Sequence, residues 1–181
     1  MSYLKLIEDF AREAHAGQKR KYTGEDYITH PIEVARLVKI HTEGDVEMQA
    51  AALLHDVIED TDVTMEDLEF FLYDVLPAGR ISRAYILNLV DALTDKYTKE
   101  AYPDMNRAER KAAEADRLAQ EHPDAQTIKY CDLVHNTESI VKHDPKFAKL
   151  YLKEKWWLLE KMDKGHQGLR KALLETVKSS K

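Results

Sequence analysis

The chain has 181 residues, of which 44% are hydrophobic and 33% are charged, as in one soluble globular domain. Its formal net charge of −6 argues against a general nucleic-acid-binding protein, which usually carries a basic excess. The single cysteine, Cys131, excludes an internal disulfide framework and fits a reducing cytoplasm. No apolar stretch approaches the roughly 20 residues of a membrane span, and the amino-terminal segment is too amphipathic for a signal peptide.

Helix signals follow one another along the whole chain. Apolar residues at helical spacing predict a first helix between Ser2 and Gly17, followed by a polar loop over residues 17–29. His30 and the proline after it begin a second helix, and Asp45 caps a central one. Later helices are expected after a capping box at Thr64 and Asp67, then over about residues 79–93, 105–120, 127–141, 145–162 and 169–177.

No segment alternates apolar and polar residues convincingly enough to predict a strand. We also find no internal repeat, low-complexity tract or linker. The sequence therefore predicts one all-α domain, a helical bundle over residues 1–181.

The central helix has the most unusual composition. Residues 48–54 are too apolar to form an exposed face, so this helix should be buried. The sequence HDVIED at residues 55–60 then places an imidazole and three carboxylates within two turns of what is predicted to be the same helix. Carboxylates packed this closely repel one another, and a divalent metal ion is the simplest compensation. An acidic cluster taken alone would more often be a solvated surface.

A stable metal centre needs about four protein ligands, so other segments must contribute. His30 stands at a helix start, and Asp132 lies in an apolar segment where a lone carboxylate would be costly. Together with His55 and Asp56 they would form a site with two imidazoles and two carboxylates. Such a set suits manganese, iron, magnesium or zinc, and the ligand types alone do not choose among them.

These residues lie in ordered blocks that resemble a known family. The pairing of His30 and His55 with Asp56 and Asp132 matches the pattern of HD-domain metal phosphohydrolases. The blocks more closely resemble the RelA/SpoT-type alarmone hydrolases, in the stand-alone layout of the metazoan SpoT-like enzymes. The resemblance spans about residues 4–142, and additional helices are expected over 145–178. Its blocks are GQKRK at 17–21, GE at 24–25, YITHP at 27–31, AALLHDVIEDT at 51–61, ALTDK at 92–96, ERK at 109–111 and AQTIKYCDLVHNT at 125–137.

The resemblance implies an HD-domain fold and a manganese-dependent enzyme that removes the 3′-pyrophosphate of guanosine alarmones, (p)ppGpp, leaving GDP or GTP. It implies that His30, His55, Asp56 and Asp132 bind the metal and that Glu59 and Asp60 direct the attacking water. The helical spacing is compatible with these two roles, because each carboxylate lies one turn after a metal-binding residue. The residues implied to contact the nucleotide are Arg20, Lys21, Lys96, Asn136 and Ser139.

Two alternatives stay open at this point. One is an HD phosphohydrolase acting on another nucleotide, either an adenine alarmone or a nucleoside monophosphate. The other is a catalytically silent nucleotide-binding regulator, against which the presence of Glu59 and Asp60 argues. The expected partner is a small-molecule nucleotide, and we expect neither nucleic acid nor a membrane. The aromatic residues of the last part of the chain predict either a helix anchored in the core or a homodimer interface; they are Tyr151, Trp156 and Trp157.

Overall fold

The computed structural model describes residues 2–76, 79 and 81–179 of the chain. Over these ranges the chain is helical, and its extended structure is limited to an isolated antiparallel bridge between Lys19 and Asp26. The all-α prediction is therefore confirmed. The helices are α1 (Tyr3–Ala14), α2 (Thr29–His41), α3 (Val46–Leu54), α4 (Val57–Asp60), α5 (Met65–Val75), α6 (Arg83–Leu93), α7 (Arg107–Leu118), α8 (Pro123–His143), α9 (Pro145–Lys161) and α10 (Gln167–Ser179).

The chain divides into two compact units, Met1–Thr94 and Asp95–Lys181. Each unit has its own buried apolar residues, contributed by the packed faces of its helices. In the described part of the chain, none of the helices is both long enough and apolar enough to cross a membrane.

Helix α3 is the centre of the first unit. Its residues 48–54 are all buried, as the apolar run predicted. Helices α1, α2 and α6 pack against it, and α5 packs against α6. The predicted caps are also present: the Asp45 carboxylate accepts a 2.8 Å hydrogen bond from the Met48 amide, and Thr64 and Asp67 form a capping box. These caps satisfy amide groups that a helix start leaves without a partner.

The central helix is not continuous, and this part of the prediction was wrong. Helix α3 ends at Leu54, and α4 begins only at Val57. In a continuous helix the Ala52 carbonyl would accept a hydrogen bond from the Asp56 amide. In this structure the Ala52 carbonyl lies 2.7 Å from Nδ1 of His55 and accepts a hydrogen bond from that side chain. The Asp56 backbone, at φ −100° and ψ −5°, turns the chain between the two helices.

Helix α6 begins later than predicted, at Arg83 instead of near residue 79. The Ser82 hydroxyl accepts a 3.2 Å hydrogen bond from the Tyr85 amide and so caps the helix. The Ser82 amide donates to a Glu47 carboxylate oxygen at 3.0 Å. Arg80, which the prediction also included, lies outside the described residues.

Helix α8 is the centre of the second unit. Helices α9 and α10 pack against it, and α7 packs against α9. Tyr130 on α8 is fully buried, and its hydroxyl donates a 2.6 Å hydrogen bond to the Met162 carbonyl. Cys131 is buried, as expected for a small core residue. Of the aromatic residues on α9, Tyr151 is a core residue at 6% exposure, whereas Trp157 is 56% exposed.

Candidate metal centre

Three predicted metal ligands meet in the first unit. His30 lies in the first turn of α2, and His55 and Asp56 lie in the turn between α3 and α4. Nε2 of His55 is 3.1 Å from Oδ2 of Asp56, and Nε2 of His30 is 3.5 Å from the same oxygen. Potential ligand atoms of all three residues lie within 4.8 Å of one another. The break between α3 and α4 thus occurs at two of the predicted ligands, His55 and Asp56.

These three side chains fit a divalent metal ion. Ligand atoms about 2.1 Å from a metal lie about 3.0 to 3.4 Å apart in octahedral or tetrahedral geometry, close to the distances of 3.1 and 3.5 Å found here. A carbonyl oxygen can only accept a hydrogen bond, so Nδ1 of His55 carries the proton that bonds Ala52. Nε2 of His55 then faces the Asp56 carboxylate, and in a neutral ring its lone pair can bind a cation held between the two atoms.

Tyr27 connects the cluster of His30, His55 and Asp56 to Asp60. Its hydroxyl oxygen lies 2.7 Å from Oδ2 of Asp56 and 2.8 Å from Oδ2 of Asp60. Burial, together with the negative charges of Asp56 and Asp60, raises the pKa of the Tyr27 hydroxyl. The hydroxyl therefore stays protonated and can donate to a carboxylate at any ordinary pH. Tyr27 belongs to a block quoted above, but helical periodicity gave no signal for this role.

The backbone of Asp60 is also held in place. The side-chain amide of Gln18 donates a 2.6 Å hydrogen bond to the Asp60 carbonyl. Nδ1 of His15 donates to Oε1 of Gln18 at 2.9 Å, and the buried His15 ring lies 4.7 Å from the ring of Tyr27. His15 therefore supports the site through its hydrogen bond to Gln18.

The electrostatic environment distinguishes Asp60 from an ordinary surface carboxylate. Although the residue is exposed, the atoms around its carboxylate reduce its hydration, and this raises its pKa. The charge of Asp56 raises it further, against the opposing effect of the Tyr27 hydrogen bond. Glu59 is exposed on the same short helix, α4. Two carboxylates thus lie within about one turn of His55 and Asp56 along the chain.

Asp132, the fourth predicted ligand, is a buried residue of α8 in the second unit. Its carboxylate is 2.9 Å from the ammonium group of Lys129 and accepts a 2.6 Å hydrogen bond from the side-chain amide of Asn136. Such partners compensate a buried charge and fix the orientation of the carboxylate. Lys129 was not singled out from the sequence, although its position three residues before Asp132 on one helix allows the contact.

The residues expected to contact the nucleotide lie in several different elements. The guanidinium carbon of Arg20 is 5.8 Å from the centroid of the ring of Tyr27, which itself contacts Asp56. Lys21 is exposed, with its ammonium group 5.0 Å from the Tyr22 ring. In the second unit, Asn136 contacts Asp132 directly. Ser139 follows one turn later on α8. Lys96 is exposed and lies three residues after the end of α6 at Leu93.

The chain is similar in sequence to a protein family and to individual proteins of known activity. A family model described as "HD domain" matches residues 8–149. Human guanosine-3′,5′-bis(diphosphate) 3′-pyrophosphohydrolase MESH1 is 31% identical over 174 residues, which cover 94% of this chain and 88% of the human protein. A 59-residue stretch is 54% identical to the Escherichia coli bifunctional (p)ppGpp synthase/hydrolase SpoT, and it covers 33% of this chain and 8% of SpoT.

Solved structures agree on the fold. The structure of a metazoan ortholog of SpoT, described as hydrolysing ppGpp, superposes with a TM-score of 0.78 at 22% identity and covers 98% of this chain and 94% of that chain. The 1.85 Å crystal structure of lmo0812 from Listeria monocytogenes superposes with a TM-score of 0.61 at 20% identity, covering 87% of this chain and 98% of that chain.

Proposed function

The chain belongs to the HD-domain family, and we propose that it is a hydrolase of guanosine alarmones. In the proposed reaction, guanosine 5′-di- or triphosphate 3′-diphosphate loses its 3′-pyrophosphate and leaves GDP or GTP. The named activity of MESH1, to which nearly the whole chain aligns, supports this substrate. The observation that carries the proposal is the cluster of two imidazole nitrogens and a carboxylate oxygen at His30, His55 and Asp56.

The proposed cofactor is one Mn²⁺ ion, held by His30, His55, Asp56 and Asp132. The fixed tautomer of His55 and the distances within the cluster support the first three. The buried and oriented carboxylate of Asp132, with the family pattern, supports the fourth. A divalent ion bound here would supply Lewis-acid activation of water and offset phosphate charge.

Glu59 and Asp60 are the proposed catalytic pair. Glu59 would accept a proton from the attacking water, since its carboxylate is exposed one turn after His55. Asp60 would orient that water, since Tyr27 and Gln18 hold its side chain and its backbone. The proposed roles differ because Asp60 is held by Tyr27 and Gln18, whereas Glu59 lies one turn after His55.

The nucleotide would be bound mainly by cations and amide groups. Arg20 is suited to the guanine base or to phosphate, because a planar guanidinium both stacks and forms paired hydrogen bonds. Lys21 and Lys96 would contact phosphates, as exposed ammonium groups that can reorient. Asn136 and Ser139 would contact the sugar or base from α8.

The test is to incubate the Mn²⁺-loaded chain with ppGpp, its adenine analogue and ordinary nucleoside monophosphates, and to identify the products. Release of pyrophosphate from ppGpp, with GDP as the other product, is the expected result. Phosphate release from the monophosphates instead would indicate a different HD phosphohydrolase. Binding of ppGpp without turnover would indicate a silent regulator.

A variant of Glu59 and a matched control test the proposed catalytic role of this residue. Glu59→Gln should still bind Mn²⁺ but lose at least 100-fold in kcat, a typical loss when a general base is removed. Glu69→Gln, an exposed substitution of the same kind on α5, is the matched control and should keep full activity. Unchanged turnover in Glu59→Gln would remove Glu59 from the mechanism.

A further inference from the structure

Three lysines from three different helices converge on one carboxylate in the second unit. We call Lys111 of α7, Lys129 of α8 and Lys155 of α9 the lysine cluster. The ammonium nitrogen of Lys111 lies 3.0 Å from Oδ2 of Asp95. Burial acts to raise the pKa of Asp95, but the charges of the lysine cluster outweigh it, and the pKa lies below its ordinary value.

The cluster carries more positive than negative charge. Lys111 is paired with Asp95, and Lys129 is paired with Asp132 at 2.9 Å. Three ammonium groups against two carboxylates leave one positive charge in excess. The Lys129 and Asp132 side chains are only 15% and 7% exposed, so water screens this excess charge less than it would at an open surface.

Lys155 supplies the excess charge. Among the residues that the structure describes, no carboxylate lies within 4.0 Å of its ammonium group, which is 5.2 Å from the centroid of the Tyr151 ring. Burial, together with the charges of Lys129 and Lys111, lowers the pKa of Lys155 to about 8. Holding a partly buried ammonium group beside two others costs folding free energy. A bound anion would reverse that cost.

We propose that the lysine cluster binds the 3′-diphosphate of the nucleotide, the group that leaves in the reaction. The inference rests on the proposed function, and it adds a set of phosphate-binding residues to Lys96. Lysine ammonium groups are effective phosphate binders because they carry a compact charge with three donors. The leaving diphosphate is assigned here because Lys129 pairs directly with Asp132, a proposed ligand of the metal. The cluster would offset the charge of that group as the ester bond breaks.

The experiment measures binding of inorganic pyrophosphate to the full-length chain by isothermal titration calorimetry in a low-salt buffer. Lys155→Met removes the unpaired charge and keeps most of the side-chain volume, so the dissociation constant for pyrophosphate should rise at least tenfold. Lys149→Met, an exposed lysine of the same helix, is the matched control and should bind like the wild type. Equal binding by Lys155→Met and wild type, or no binding by the wild type, would overturn the inference.

A second variant keeps the test valid if Lys155→Met does not fold. The side chain of Lys111 is 37% exposed, so Lys111→Met removes little buried surface and should also weaken pyrophosphate binding several-fold. In alarmone turnover, both variants should raise KM or lower kcat, unlike Lys149→Met. If the wild type cleaves ppGpp and the variants bind and react normally, the proposed function stands and this inference fails. If pyrophosphate binds through Lys155 but ppGpp is not cleaved, the inference stands and the proposed function fails.

Discussion

The Tyr27 hydroxyl contacts both a proposed metal ligand and a proposed catalytic carboxylate. Its oxygen is 2.7 Å from Asp56 and 2.8 Å from Asp60. Tyr27→Phe removes this oxygen and keeps the ring beside His15 and Arg20. A hydroxyl has one hydrogen, so the substitution removes one donated hydrogen bond to a charged group at any moment, worth about 1.5–3 kcal/mol.

That free energy corresponds to roughly a 10- to 100-fold change in an equilibrium constant, the range seen when a partner of a metal ligand is removed. We therefore expect Tyr27→Phe to bind Mn²⁺ about 10- to 100-fold more weakly in a calorimetric titration. At saturating Mn²⁺ it should still show a lower kcat, because Asp60 loses its contact. Tyr73→Phe, an exposed tyrosine of the same unit, is the control. Normal metal affinity and normal kcat in Tyr27→Phe would refute the proposed positioning role.

Three further predictions concern stability and reactivity. The pKa of Lys155 is lowered from 10.5 to about 8, so between these pH values the folded chain binds fewer protons than the unfolded chain. In urea unfolding, the stability of the wild type relative to Lys155→Met should therefore rise across pH 8–10.5, by at most about 3 kcal/mol. A difference that does not change with pH would contradict this. Burial, with a smaller effect of the Asp132 charge, raises the pKa of Cys131 to about 12. A thiol reagent at pH 8 should therefore label Cys131 only after unfolding, and rapid labelling of the folded chain would contradict its burial. In Gly165→Ala the new Cβ would lie 2.6 Å from Cε2 of Tyr130 and 2.9 Å from the backbone nitrogen of Thr127. The free energy of unfolding should therefore fall by about 1–3 kcal/mol, and a loss below the measurement error would contradict this close packing.

Features that depend on neighbouring residues in sequence were predictable. The predicted helix caps at Asp45 and Thr64 were both confirmed. They were predictable because a capping side chain lies within three residues of the amide that it binds. The buried character of α3 was predictable for a similar reason, since its apolar run leaves no polar face. The proximity of His30 to the pair at residues 55–56 followed from the family pattern, and the geometry agrees with it.

Features that depend on tertiary packing were not predictable from local patterns. Helix α3 ends at Leu54, where the His55 ring bonds to the Ala52 carbonyl and Asp56 turns the chain, and helix propensity does not reveal this turn. Tyr27 reaches carboxylates 29 and 33 residues later in the chain. Lys155 has the sequence context of an ordinary surface lysine, and only the packing of α7, α8 and α9 gathers its charge with the others.

The most direct test of the central claim is a Mn²⁺ titration of the wild type and of Asp132→Asn, followed by calorimetry or by the electron paramagnetic resonance signal of free Mn²⁺. The account predicts one tightly bound ion per chain in the wild type and at least a tenfold loss of affinity in Asp132→Asn. His55→Ala should show a similar loss. Wild-type affinity in Asp132→Asn would contradict the proposal that this carboxylate completes the metal centre.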